Sequence, residues 1–334
     1  MKPSLDDLKR ITEKMLAEES SYLDLRNACG SLLDFFYQVV EFDDTDPGNG
    51  QHMQSQAGQA VSPEAAAVCI RDFMRTCVFL RGIKEAISTK LQLNPDKAVT
   101  VLYAGTGPFA TLLIPLVTLF SPAQLNMLLL DINPASIAYL SRIIRNFNLE
   151  PYILQVVETD AVTYRIPEQW KPDIILSETM MPSLKTEPQV SIVANLVGQC
   201  PQVLLVPEMI EVSAVLYNNK QTAGKRFINL ETLLVFTKEA ALKMAAEQQT
   251  GDTVFPVTIL EVQKPAEPGY SRLALLTRIR VFNEHFLNYS ESSLTIPVFV
   301  YNMHSIKTWP AVLNIQYRIF PIPGFTISKD GLTL

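Results

Sequence analysis

The first hundred residues have the apolar spacing of amphipathic helices. Apolar side chains recur every three or four positions after Ser4, and Ser4 with Asp7 has the pattern of a capping box. A second helical run covers residues 22–42, and Ser62 followed by Pro63 begins another that continues towards Leu91. Residues 43–60 are polar, with Gly, Pro and Gln, and we interpret them as a linker or mobile loop.

Between residues 99 and 206, short apolar runs alternate with helical segments. Such alternation predicts a parallel sheet covered by helices on both faces. The predicted strands cover residues 99–103, 125–130, 153–158, 173–176 and 202–206. The predicted helices cover residues 134–147 and 190–198, and helical residues are also expected directly after the first strand and its glycine turn.

After Pro207 the pattern becomes that of a mostly antiparallel β-structure. Strands are predicted at residues 212–217, 254–262, 273–282, 294–301 and 312–320, with a helix at 238–247. We therefore predict an α/β fold in three parts. An N-terminal helical region and linker covers residues 1–60, a Rossmann-like domain covers 61–207, and a β-rich, barrel-like domain covers 208–334.

Composition and charge narrow the classes of partner. The net charge of −6 and the absence of a Lys/Arg-rich run argue against a nucleic-acid partner, because phosphate binding needs a basic face. The most apolar stretch, residues 110–120, is too short to cross a membrane, and the polar N-terminus lacks the apolar core of a signal peptide. We expect a cytoplasmic protein with no membrane partner.

The cysteines and histidines give no pattern of metal ligands. The four cysteines form no CxxC pair, the three histidines lie at no ligand spacing, and we expect reduced thiols and no metal. These residues are Cys29, Cys69, Cys77, Cys200, His52, His285 and His304.

Three positions at the ends of the predicted strands indicate a nucleoside ligand. Gly105 and Gly107 form a turn after the first strand, where the missing Cβ lets a ligand approach the backbone. Asp131 ends the second strand, where a carboxylate can accept hydrogen bonds from ribose hydroxyls. Asp160 ends the third and could accept from an adenine amino group. A plain turn, helix capping near Asp131 and a dinucleotide ligand with hydride transfer stay open, although Ala110 takes the place of a third glycine.

Four segments resemble the protein arginine methyltransferase family over residues 62–210. They are Asp72-Phe-Met-Arg75-Thr76, the Gly105-Thr-Gly107-Pro108 turn, Asp131 in place of a Glu, and Ser177-Glu178-Thr-Met180 followed by Glu187. The resemblance implies a class I methyltransferase fold and S-adenosylmethionine as the cofactor. It also implies that Arg75 binds the methionine carboxylate and that Glu178 and Glu187 hold the methyl acceptor.

The chain departs from the family at the acceptor side. Phe79 stands where the family has Tyr and therefore lacks its hydroxyl group. Thr179 stands where the family has an aromatic residue. The Thr-His-Trp loop of the β domain is missing, and His285 and His304 are candidates for its histidine. The sequence thus predicts methyl transfer to a nitrogen or oxygen of a small-molecule or peptide acceptor of cationic character.

Three functions stay open at this stage. They are a protein arginine methyltransferase, a small-molecule methyltransferase, and a nucleotide-binding scaffold that has lost catalysis. Residues 1–60 would cover the substrate entrance or form a homodimer contact.

Overall fold

A computed structural model describes residues 3–222, 225–250, 255–329 and 332–333 of the chain. The remaining residues lie outside the described residues. They include Val254, at the start of a predicted strand, and the two ends of the chain, where the first and third predicted regions begin and end. The domain boundaries at residues 60 and 207 stay a prediction, since the main hydrophobic core runs from Leu8 to Ile327 across all three regions.

The N-terminal helices form as the apolar spacing predicts. Helix α1 (Leu5–Leu16) begins at a capping box in which Ser4 and Asp7 bond each other's backbone amides. Helix α2 (Tyr22–Val40) begins at a second capping box, formed by Ser21 and Asp24. Both helices bury one face in the common core.

The predicted helix from Ser62 to Leu91 is divided in two. Helix α3 (Pro63–Val68) is followed by one 3-10 turn, and α4 (Phe73–Leu93) begins at Asp72, whose carboxylate accepts from the Arg75 amide. Because Asp72 is a favoured N-cap residue and begins α4, the helix does not run continuously from Ser62 to Leu91.

A five-stranded parallel sheet forms the centre of the nucleotide-binding half. Its order is β5-β4-β3-β6-β7, and β3 and β6 are buried along their whole length because helices or loops cover both faces. The strands are β3 (Val99–Ala104), β4 (Leu125–Asp131), β5 (Ile153–Glu158), β6 (Ile174–Ser177) and β7 (Leu204–Val206), and the helices α5 (Pro134–Asn146) and α6 (Gln189–Gln199).

The α-helix predicted directly after the glycine turn is wrong. The segment after the glycine turn, 107–120, is described throughout and contains turns and a 3-10 helix (Ile114–Thr118) but no α-helix. Pro115 is at the start of this 3-10 helix and cannot supply an amide to a continuing α-helix.

The C-terminal region is an antiparallel β-structure, as predicted. One sheet has the order β12-β11-β8-β9, with β13 also paired to β11, and the other has the order β10-β14-β15-β16. The elements are β8 (Met209–Tyr217), β9 (Phe227–Thr237), α7 (Lys238–Thr250), β10 (Thr258–Val262), β11 (Arg272–Phe282), β12 (His285–Leu287), β13 (Val298–Asn302), β14 (Ala311–Arg318), β15 (Gly324–Lys329) and β16 (Leu332–Thr333). The predicted fold class is confirmed, with two sheets in the β-rich part.

Residues 43–60 are not a plain linker. They contain a 3-10 turn (Pro47–Gly50) and a hairpin of β1 (Met53–Ser55) and β2 (Gly58–Ala60). The hairpin packs against other parts of the chain, which composition alone did not indicate.

Across the described residues, the helices are too short or too polar to cross a lipid bilayer.

Two helical glycines should respond oppositely to alanine. A Cβ at Gly30 in α2 would meet no atom within 4 Å, whereas a Cβ at Gly82 in α4 would lie 2.6 Å from Val281 Cγ1 in β11. We expect Gly30→Ala to raise the free energy of unfolding by about 0.5–1 kcal/mol, because alanine favours helices. Gly82→Ala should lower it, because Val281 has little freedom to move. Urea unfolding of both variants measures this, and equal shifts would contradict the described packing of α4 on β11.

Candidate active site

The seven residues predicted for the site all line one cavity. It lies at the carboxyl ends of β3, β4 and β6, where open parallel sheets bind their ligands. The residues are Arg75, Gly105, Gly107, Asp131, Asp160, Glu178 and Glu187. They come from separate stretches of sequence, so the fold brings together what the sequence only suggested.

The glycine turn is shaped as a cradle. Gly105 has a φ of +78° and Gly107 a φ of +60°, which favour glycine. A Cβ at Gly105 would lie 2.2 Å from Thr179 Cγ2, so no larger residue fits there without movement. Since the described segment after this turn contains no α-helix, the cradle lacks the helix N-terminus that holds a dinucleotide's pyrophosphate.

Asp131 is buried beside this turn. Its Oδ2 accepts from the Gly107 amide at 2.7 Å, and its Oδ1 accepts from the Asn133 amide at 2.8 Å. Burial raises the pKa of Asp131 to about 6, although these hydrogen bonds act in the opposite direction. The side chain that caps α5 is that of Asn133 and not that of Asp131.

Asp160 is bonded to the β1–β2 hairpin. Its carboxylate accepts from Ser55 Oγ at 2.9 Å and from the Gln56 amide at 2.8 Å. The other end of the hairpin is bonded to the segment before Glu187, since the Gln59 amide donates to the Thr186 carbonyl at 2.9 Å. The hairpin therefore forms one wall of the cavity, and Ser55 lines it.

Arg75 and Glu178 form a buried ion pair. Arg75 projects from the first turn of α4, and its Nη1 also donates to the Cys69 carbonyl at 3.3 Å. Glu178 follows the last residue of β6 and is 7% exposed. The guanidinium that the resemblance assigns to a cofactor carboxylate is thus paired with a protein carboxylate.

Glu187 is the second carboxylate of this region and is 8% exposed. Burial raises its pKa to about 7, and the neighbouring Arg75 acts in the opposite direction. The segment before it has left-handed backbone at Ser183, Leu184 and Thr186, with φ between 54° and 71°. Such non-glycine conformations persist only where other contacts hold them, as the Tyr317 hydroxyl does by donating to the Leu184 carbonyl at 2.9 Å.

The histidine candidates lie away from the cavity. His285 Nε2 is 2.8 Å from Glu85 Oε2, and His304 is exposed, and neither lines the site. The β-rich region instead contributes Ser293 and Leu294. Ser293 donates its amide to Asp72 at 2.7 Å, which fixes this segment to the start of α4.

Two contributors had no clear signal in the sequence. Ser55 lies in the segment interpreted as a linker. Gln189 begins α6, and its side-chain amide is hydrogen-bonded to Ser177 and Thr179, the two neighbours of Glu178. No apolar periodicity or motif in the sequence indicates that the glutamine two residues after Glu187 is buried. Within the described residues, no group of three or more His, Cys, Asp or Glu side chains could hold a metal ion.

No family model matches the chain, and no curated protein matches it. Among solved structures, a chain of the Trypanosoma brucei PRMT1 enzyme–prozyme heterotetrameric complex with AdoHcy is similar, at 15% identity and a TM-score of 0.49, over 79% of this chain and 92% of that one. Arabidopsis thaliana protein arginine methyltransferase 10, in an open conformation, is similar at 10% identity and a TM-score of 0.48, over 80% and 93%. Both are distant structural similarities at low sequence identity.

Glu187→Gln should stabilise the protein in a pH-dependent way. A folded-state pKa of about 7, against an ordinary value of 4.5, means that the folded protein holds an extra proton between these values. The free energy of unfolding therefore falls as pH rises through this window. Glu187→Gln does not show this fall, because glutamine has no carboxyl group to ionise. We expect equal stability below pH 4.5 and a gain of up to about 3 kcal/mol above pH 7.

Thermal unfolding of both proteins across pH 4–8 measures this difference. Glu168→Gln makes the same substitution at an exposed position away from the cavity and is the control. A constant offset between wild type and Glu187→Gln at every pH would contradict the burial described for Glu187.

Proposed function

We propose that this protein is an S-adenosylmethionine-dependent methyltransferase that acts on a nitrogen, or alternatively an oxygen, of a cationic acceptor. One observation carries the proposal. A single cavity contains a glycine cradle, a buried ribose-type carboxylate, a guanidinium and two buried carboxylates.

In this proposal, residues of the cavity would hold the cofactor in its three parts. Asp131 would accept from the ribose hydroxyls, Asp160 from the adenine amino group, and Arg75 would bind the methionine carboxylate in a bidentate fork. Gly105 and Gly107 leave the space that a Cβ would occupy. When bound, S-adenosylmethionine supplies an activated methyl group whose bonding electrons leave on sulfur.

The two carboxylates would serve the acceptor. An ionised Glu187 attracts a cation, and Glu178 orients the acceptor nitrogen for in-line attack on the methyl carbon. The acceptor nitrogen must lose one proton during transfer. Glu187, with its pKa raised to about 7, is suited to accept that proton near neutral pH.

The segment that contains Glu187 is enclosed by other parts of the chain, which favours a small-molecule acceptor over a polypeptide. The Thr186 amide donates to the Pro323 carbonyl at 2.9 Å, while the Thr186 carbonyl accepts from Gln59. A Cβ at Gly58 would lie 2.4 Å from that same carbonyl oxygen, so the hairpin closes tightly on this side. Thr179, in place of an aromatic residue, further changes the acceptor pocket.

Cofactor binding is tested by calorimetric titration of S-adenosylhomocysteine into the wild type and Asp131→Ala. We expect micromolar affinity in the wild type and a loss of at least about tenfold in the variant, which corresponds to about 1.4 kcal/mol. NAD is the matched ligand control and should bind poorly, because the cradle opens no α-helix. Tight NAD binding, or no binding of S-adenosylhomocysteine, would overturn the proposal.

Catalysis is tested separately with Glu178→Gln. Removing this charge frees Arg75 from its ion pair, so affinity for S-adenosylhomocysteine should be retained or increased. Transfer of labelled methyl from S-adenosylmethionine into pooled peptides or amine metabolites should fall by at least about 100-fold, as expected when the group that orients the acceptor is lost. A wild type that binds the cofactor but labels neither pool would indicate a binding protein without catalysis.

A further inference from the structure

The turn that contains Glu178 is held by one buried side-chain amide, that of Gln189. Gln189 is the first residue of α6 and is 1% exposed. Its Oε1 accepts from the Thr179 amide and from Thr179 Oγ1, both at 2.9 Å, and from Ser177 Oγ at 3.3 Å. Its Nε2 donates to the Ser177 carbonyl at 3.0 Å.

These bonds fix both neighbours of Glu178. Because Ser177 and Thr179 are bonded to the same amide, the backbone between them has little freedom to turn. The carboxylate of Glu178 is then directed into the cavity beside Arg75. A buried amide that bonds four groups is costly to replace, since an apolar side chain would leave those groups without partners.

The same amide connects three parts of the site. Gln189 lies two residues after Glu187, with only Pro188 between them, so the position of Gln189 limits that of Glu187. Thr179 also packs over the glycine cradle, where a Cβ at Gly105 would meet Thr179 Cγ2 at 2.2 Å. The acceptor carboxylates and the cofactor turn are thus tied to one helix start.

We propose that Gln189 is a positioning residue that sets the relative placement of Glu178 and Glu187 and thereby the affinity for a cationic acceptor. This inference rests on the proposed function for its ligand but on the hydrogen bonds of Gln189 for its geometry. Gln189 itself would touch neither cofactor nor acceptor.

The test compares Gln189→Leu with a matched control on the same helix. Gln199 ends α6, and its amide is also bonded to backbone, accepting from Ile166 N at 2.9 Å and donating to the Tyr164 carbonyl at 3.0 Å. It does not line the cavity. Gln199→Leu therefore removes an equivalent set of bonds from α6 without touching the Glu178 turn.

The first readout is binding of methylguanidinium to the protein saturated with S-adenosylhomocysteine. We expect Gln189→Leu to weaken methylguanidinium at least tenfold, to change S-adenosylhomocysteine affinity less than threefold, and to remain folded. Gln199→Leu should change neither. Thr179→Val, which keeps the shape of the side chain and loses one bond to Gln189, should act in the same direction with a smaller effect and serves if Gln189→Leu does not fold.

The second readout needs no ligand. The carboxyl carbon of Glu187, assigned with Glu187→Gln, is titrated by NMR in both leucine variants and in Thr179→Val. If Glu178 is released from Arg75, the guanidinium is free to interact with Glu187, and the pKa of Glu187 should fall by at least about one unit in Gln189→Leu. It should fall less in Thr179→Val and stay unchanged in Gln199→Leu.

The outcomes separate the two proposals. Unchanged methylguanidinium affinity together with an unchanged Glu187 titration would overturn the role of Gln189, as would equal effects in Gln199→Leu. If the wild type binds no S-adenosylhomocysteine, the proposed function fails, and the titration of Glu187 alone decides whether Gln189 positions the two carboxylates.

Discussion

The ion pair between Arg75 and Glu178 is the interaction on which the rest of the site depends. The cavity holds three carboxylates that are each less than a tenth exposed, and Arg75 is the guanidinium that lines it. Burying carboxylates without a counter-charge is strongly unfavourable. Among the described residues that line the cavity, Arg75 alone is cationic, and it pairs with Glu178 where α4 meets the end of β6. Burial raises the pKa values of Asp131 and Glu187, and Arg75 acts in the opposite direction on Glu187.

The sequence predicted those parts of the fold and site that depend on local patterns. The order of strands and helices follows from apolar periodicity, and the site residues at strand ends, such as Asp131 and Glu178, follow from the geometry of parallel sheets. The capping box of Ser4 and Asp7 was readable because both partners lie within one turn of helix.

Features that depend on distant contacts were not readable. The helix expected after Gly107 is replaced by turns and a 3-10 helix. The hairpin at residues 53–60 is too short and polar to form alone, and its bonds to Asp160 and Thr186 join segments more than 100 residues apart in sequence. The bonds of Gln189 likewise span ten or twelve residues and have no periodicity.

The continuous core has a consequence for how a ligand would enter. Helix α4 packs against β11 so closely that Gly82 and Val281 leave no room for one more carbon atom, and α6 meets α7 in the same manner at Gly198 and Ala245. Such close packing opposes a hinge opening between the two halves. Release of the β1–β2 hairpin from Asp160 and Thr186 would instead widen the cavity, because this eight-residue segment forms one of its walls.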